Sequence, residues 1–181
     1  MKYLLFTIIA LFTFSFTIPA QETSDRDKGI GLYRQGEYEK AVEAFLSSVK
    51  TEENDRLAWL YLGASYVRLK KETEAIEAFR KSSTVYGKNL PVYDKKLKIV
   101  SKSQPAYTNE ARKRRASGKI AIAVEFGADG KLGFTFPLNQ LPFGLTENAI
   151  KAANTIQFEP AVIDGKPVTV VMVLEYSFNT Y

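Results

Sequence analysis

The 181-residue chain contains no cysteine and no histidine. Their absence excludes disulfides, thiolate nucleophiles, zinc sites built on these ligands, histidine general bases and a lipid-attachment cysteine. It also removes the usual clue to redox compartment. Proline is sparse and scattered, seven residues in all, so no stretch reads as a stiff extended spacer. There is one long apolar run, Leu4–Ile18. As a helix it spans roughly 22 Å at ~1.5 Å per residue, short of the ~30 Å hydrocarbon core. Lys2 precedes the run, and Pro19-Ala20 followed by polar residues ends it. Residues 1–20 thus have the layout of a secretory signal peptide, with an uncleaved membrane anchor as the alternative.

What remains has the composition of a folded protein. Apolar residues make up 45% of the chain, which argues against disorder as a whole-chain answer. The formal charge of +5 gathers at Lys95, Lys96, Lys98 and Lys102, and again at Arg112, Lys113, Arg114, Arg115 and Lys119. No aromatic residues interleave the run, and an exported protein rarely meets nucleic acid, so a nucleic-acid partner is not expected. A solvated face on two helices accounts for this charge. Weak contact with an anionic membrane surface is the alternative.

A thirty-four-residue repeat occupies the first half. Ala41-Val42-Glu43-Ala44-Phe45 recurs as Ala75-Ile76-Glu77-Ala78-Phe79, and the same offset relates Gly29 to Gly63 and Ser48 to Ser82. Trp59, Leu62, Gly63, Tyr66, Ala75 and Phe79 follow the tetratricopeptide pattern, in which small residues let two helices approach and aromatic residues fill the space between them. These six are the expected repeat-packing residues. In the first copy Asp25 and Lys28 replace the tryptophan and leucine, so its first helix is expected to pack poorly. The spacing predicts helices at 24–35, 38–50, 55–69, 72–86 and 91–101. The fifth has Pro91 in its first turn and a stripe of Tyr93, Leu97 and Val100, as expected of a capping helix. Residues 22–101 would then form two repeats plus a cap, below the three or so such solenoids need. Docking on the second domain, or self-association, would supply the difference.

From residue 102 the pattern changes. Thr108–Arg115 reads as a short helix. Ile120, Ile122, Val124 and Phe126 alternate with Ala121, Ala123 and Glu125, the period of a half-buried strand. Ala128-Asp129-Gly130 makes a turn, after which Leu132, Phe134 and Phe136 are expected on the same face. Leu145, Ala149, Ala153 and Ile156 have helical spacing. Asp164-Gly165 makes a second turn into Val168, Val170, Met172, Leu174, Tyr176 and Phe178, again alternating. The fold class is therefore α+β: N-terminal helical hairpins, then an α-β-β-α-β antiparallel sheet domain over 102–181.

The order of short elements carries a resemblance. Pro105-Ala106-Tyr107 with Ala111-Arg112, then Gly118–Phe126, Asp129-Gly130-Lys131, Ala149–Ala153, Phe158–Ala161 and Asp164–Val168, resembles the C-terminal domain of the TonB family from about Gln104 to Phe178. The family's Tyr-Pro is here Tyr107-Thr108, and its Trp-Arg is Ile156-Gln157. The resemblance implies a domain that is not an enzyme and binds a peptide strand of an outer-membrane partner along its last strand.

That strand is the expected site: Val168, Thr169, Val170, Val171, Met172, Val173, Leu174, Glu175 and Tyr176. A terminal strand exposes unpaired N–H and C=O groups that can accept an added strand. Its outward set includes Val171 and Val173, which also suits a homodimer pairing two such edges. Catalysis has no constellation to rest on: Ser47-Ser48, Ser82-Ser83, Glu43 and Glu77 lack a histidine partner. Asp129-Gly130 and Asp164-Gly165 are lone turns without further oxygen ligands for calcium. No cofactor and no metal is expected. The reading is a non-enzymatic periplasmic adaptor for outer-membrane transport or envelope assembly, its partner an outer-membrane or periplasmic protein such as a TonB-dependent receptor. An inner-membrane-anchored energy transducer and a homodimeric scaffold are the alternatives.

Overall fold

The computed structural model describes residues 24–84 and 91–179. The signal-peptide-like segment lies outside them, and no helix among the described residues is long and apolar enough to cross a membrane. Four helices come first: α1 (Asp25–Arg34), α2 (Tyr38–Thr51), α3 (Arg56–Arg68) and α4 (Glu72–Thr84). Ser24 caps α1 by accepting from the Asp27 amide, and Asp55 caps α3 by accepting from Leu57 and Ala58 at 3.0 Å each. Consecutive helices pair as two hairpins. The thirty-four-residue offset is visible in the packing: Gly29 lies against the ring of Phe45, and Gly63 against the ring of Phe79.

Two expectations fail here. The helix of the first copy is well packed, with Gly29, Ile30 and Tyr33 buried. Tyr33 meets Tyr38 and Tyr61 edge-on at ring separations of 5.4 and 5.3 Å, which anchors this helix without a tryptophan. There is also no capping helix at 91–101. Residues 91–97 are irregular, and Lys98–Ser101 is a strand, β1. Its partner is β4 (Gln157–Glu159), with Ile99 opposite Phe158. Lys95 exchanges backbone hydrogen bonds with Val162, and Tyr93 packs on Ala161, Val168 and Val170. Pairing with the second domain has overridden the helical periodicity, and the segment belongs to that domain.

The second domain continues with α5 (Asn109–Lys113), β2 (Gly118–Phe126), β3 (Leu132–Pro137), α6 (Leu145–Ala153), β5 (Ala161–Ile163), β6 (Lys166–Val168) and β7 (Val170–Phe178). The main sheet is antiparallel in the order β3-β2-β7; β5 and β6 form a small hairpin. The α-β-β-α-β order holds, with four short strands added to it. One face of the sheet carries Ile120, Ile122, Val124, Phe126, Leu174, Tyr176 and Phe178 against Ala111 of α5 and Leu145, Ala149 and Ala153 of α6.

The other face is covered by the helical hairpins. Ala123 and Val171, with the partly buried Phe134, Phe136, Leu138 and Val173, join Phe79, Tyr61 and their neighbours in a single core. This corrects one face assignment and one expectation of burial. Phe134 and Phe136 do not share a face with Leu132, because the β2–β3 register shifts between Val124 and Phe126, and the extra residue reverses the alternation. Val171 and Met172 lie on the faces expected of them, but their burial is reversed: Val171 is 1% exposed because the helices cover its face, and Met172 is 37% exposed on the face of Leu174 and Tyr176. Docking of the helices on the sheet supplies the burial that two hairpins alone would lack.

Candidate functional site

The last strand is an edge. Among the described residues β7 pairs only with β2, over nine residues from Gly118↔Phe178 to Phe126↔Val170 without a bulge. Which of its backbone groups face outward follows from β2. The Ala121 carbonyl accepts from Leu138 and its amide donates to Asn139, both on the β3 side. Ala121 therefore turns its backbone away from its β7 partner, Glu175. Alternation along the ladder sends the backbone of Val171, Val173, Glu175 and Ser177 to the open edge, and that of Val170, Met172, Leu174, Tyr176 and Phe178 inward to β2.

Two side chains bracket this edge. Tyr61 of α3 donates its hydroxyl to the Thr169 carbonyl at 2.9 Å. Lys102 donates its Nζ to the Glu175 carbonyl at 3.0 Å, with the ammonium 4.4 Å from the ring centre of Tyr176. Between these caps, no hydrogen bond among the described residues reaches the outward groups of Val171 and Val173. The opposite edge, β3, is shorter, carries the bulge and ends in Pro137, which has no N–H to offer. β7 is the better strand acceptor of the two.

Of the expected site residues, Val170 to Tyr176 lie in β7, Val168 ends β6 and Thr169 links the two strands. Of the repeat-packing set, Leu62, Gly63, Ala75 and Phe79 are buried, while Trp59 and Tyr66 are partly buried. Trp59 directs its indole N–H to the Glu53 carbonyl at 2.8 Å.

Three features were not foreseen from the sequence. At the C-terminal end of β7 an open cleft of about 710 Å³ is lined by Tyr107, Arg112, Arg115, Ser177, Phe178 and Asn179 among others. Lys102 caps the edge. Across the sheet, Arg68 of α3 forms an ion pair with Glu125 of β2, which is 6% exposed. The Arg68 guanidinium lies between the rings of Tyr38 and Phe134, 5.9 and 5.6 Å from their centres. Burial pushes Glu125 above the usual carboxylate range against the pull of Arg68. Burial also pushes the hydroxyls of Tyr33 and Tyr61 well above the ordinary tyrosine value. A basic residue four positions after Ala64, and an acid among strand alanines, were the sequence signals for the pair; neither specifies a partner.

A small α+β domain with helices on one sheet face and a long regular edge strand is the class this fold defines. Residues 103–180 match the family model described as Gram-negative bacterial TonB protein C-terminal. The second domain is thus a TonB C-terminal-type domain. Among solved structures, the solution NMR structure of the Pseudomonas aeruginosa TonB CTD matches with 23% identity and a TM-score of 0.39, covering 48% of this chain and 88% of that one. No curated protein matches the chain.

Proposed function

We propose that this protein is a non-enzymatic adaptor of the Gram-negative cell envelope, in which the edge of β7 accepts an extended segment of an outer-membrane or periplasmic partner. The single observation that carries this reading is the edge itself. It is long and regular, and among the described residues nothing pairs with the outward N–H and C=O groups of Val171 and Val173, which lie between two capped positions. Backbone pairing of this kind supplies affinity, and the flanking pockets supply selectivity. The TonB C-terminal-type match over 103–180 and the export-signal layout of residues 1–20 support an envelope location with the folded part in the periplasm.

The helical hairpins act in this reading as a fixed buttress. They cover the sheet face that would otherwise offer Val171 and Val173 to a second copy, which leaves the homodimer reading without its original motive. Envelope extracts passed over immobilised wild type and Val173→Pro test the proposal. An envelope protein retained by wild type and lost from the folded proline variant is expected. Equal retention by both would remove the β7 edge from the binding site. Mass spectrometry of the N-terminus separates a cleaved periplasmic chain from an anchored transducer.

A further inference from the structure

We propose that the loop between β3 and α6 is a membrane anchor: Phe143 enters the headgroup region of an anionic phospholipid bilayer while the cations beside it meet lipid phosphates. The inference is independent of strand addition at β7 and adds a second contact, with lipid rather than protein.

Phe143 is 41% exposed, and every other described phenylalanine is buried or half-buried. Pro142 beside it is exposed as well. Leu141 instead turns inward and packs on the domain core, so the loop divides its apolar residues between core and solvent. Phe143 and Gly144 are successive left-handed residues, with φ of 62° and 77°, a conformation that a bulky side chain seldom takes.

Side chains brace this loop along its length. Asn139 donates to the Lys119 carbonyl and accepts from the Ala121 amide, both at 2.8 Å. Thr146 clasps Leu141, accepting from its amide at 2.8 Å and donating to its carbonyl at 3.0 Å. Thr108 donates to the Phe143 carbonyl at 2.8 Å. A ring held out on a braced loop has little freedom left to lose when a partner buries it.

Charge decides what that partner is. The loop touches both ends of segment 108–118: Thr108 through its hydrogen bond, and Gly118, where a Cβ would stand 2.9 Å from the Leu141 side chain. Arg112, Lys113, Arg114, Arg115 and Lys119 lie within or next to that segment, and all are exposed. The acids near them are Glu110, bound to Arg114 at 3.0 Å, Glu175, bound to Lys119 at 3.3 Å, and Glu147 in the first turn of α6. Five cations against three carboxylates leave the surface around Phe143 positive. A bilayer meets both features at once, with an apolar boundary just below a plane of phosphates. The ring buries in that boundary, and lysine and arginine lay their aliphatic stems along it while their charges stay at the phosphates.

The test uses the chain from Gln21 on, which keeps both domains and removes the apolar run Leu4–Ile18 as a source of binding. Wild type is expected to sediment with vesicles of phosphatidylethanolamine and phosphatidylglycerol, not with phosphatidylcholine alone, and to be released by salt. Phe143→Asn should keep the fold, because asparagine takes the left-handed conformation more readily, and should bind about tenfold more weakly. Lys113→Gln/Lys119→Gln should lose a similar factor. Phe143→Trp should retain binding. On vesicles its added tryptophan should emit at shorter wavelength and be quenched by lipids brominated on the acyl chains, with wild type and its part-buried Trp59 as the blank.

Equal binding by wild type and Phe143→Asn would overturn the anchor, even where the cations still draw the protein to the surface. So would a Phe143→Trp emission that vesicles leave unchanged. An envelope protein captured by wild type and lost from Phe143→Asn, with no vesicle binding by either, would overturn it in favour of a protein partner. Each of these results leaves the β7 edge untouched, since Val173→Pro tests that edge separately.

Discussion

Arg68 and Glu125 form an ion pair across the boundary between the second helical hairpin and the central strand of the sheet. Gly133, opposite them, has no room for a side chain, since a Cβ would stand 2.3 Å from the Glu125 carboxylate. The pair and the rings of Tyr38 and Phe134 tie α2, α3, β2 and β3 at one point.

This arrangement has a pH signature. Burial raises the folded pKa of Glu125 above its unfolded value of ~4.3. The folded state therefore binds this proton more tightly than the unfolded state. The contribution of Glu125 to stability is fullest at acid pH and declines as pH rises from the ordinary carboxylate value through the folded one. Arg68 limits that decline. Arg68→Met should cost about 2–4 kcal/mol at neutral pH, because it leaves a buried carboxylate unpaired. It should also steepen the fall in Tm between pH 4 and 7. Glu125→Gln should flatten it. Parallel Tm profiles for wild type and Arg68→Met would show that the two residues are not coupled.

Glycines in the helices make a second prediction, with an internal control. A Cβ on Gly29 would sit 2.6 Å from the Phe45 ring, and one on Gly63 would sit 2.9 Å from the Phe79 ring. Both rings are fully buried and have nowhere to move. Overpacking of ~1–3 kcal/mol should outweigh the ~1 kcal/mol gain in helix propensity, so Gly29→Ala and Gly63→Ala should destabilise. Gly31 faces open space in the same helix as Gly29. Gly31→Ala should stabilise by ~0.5–1 kcal/mol. Urea midpoints that move the same way for Gly29→Ala and Gly31→Ala would contradict the packing described.

The helical hairpins were legible because their repeat writes the same close contact twice, Gly29 on Phe45 and Gly63 on Phe79. Strands β2 and β7 and helix α6 were legible from their periods. The segment at 91–101 was not, because Tyr93, Leu97 and Val100 fit a helical stripe while the half-buried set Tyr93, Leu97 and Ile99 follows a strand period. Only the presence of β4 decides between them, and β4 lies some sixty residues away. The face reversal at Phe134 depends on a bulge that no residue type announces. Val171 and Val173 did carry a signal, two apolar residues on a face expected to be wet. Its cause is the cover of the helices. The edge was legible as a terminal strand, but its caps, Tyr61 and Lys102, lie in other elements and could not be paired with it from the chain alone.

Backbone parity along β7 yields a sharp contrast between neighbouring positions. Leu174 donates inward to β2, opposite Ile122, and Val173 faces the open edge. Leu174→Pro should cost ~3 kcal/mol or more, since it removes a ladder hydrogen bond and a buried side chain. Val173→Pro should cost about 1–2 kcal/mol and leave the domain folded. Amide exchange gives the same pattern without substitution: Val171 and Val173 should exchange faster than Val170, Leu174 and Tyr176. Equal protection at odd and even positions would mean that something covers the edge.

Lys102 guards that edge in the same sense that lysines blunt exposed strands elsewhere. Its ammonium occupies the Glu175 carbonyl and rests on the Tyr176 ring, so an incoming backbone must displace it. Lys102→Ala should free one outward acceptor, and Lys102→Ala/Tyr61→Phe a second at Thr169. The loss of the Tyr61 hydroxyl bond should cost about 1 kcal/mol of stability, because it leaves a part-buried carbonyl without its partner. Loss of Lys102, whose hydrogen bond is exposed, should cost much less. Both variants should self-associate more readily than wild type, and the double variant most. Light scattering over a micromolar concentration series reads the effect directly. Unchanged masses in the folded double variant would show that the two caps do not control access to β7, and would shift the restraint on pairing to the helices packed above Val171.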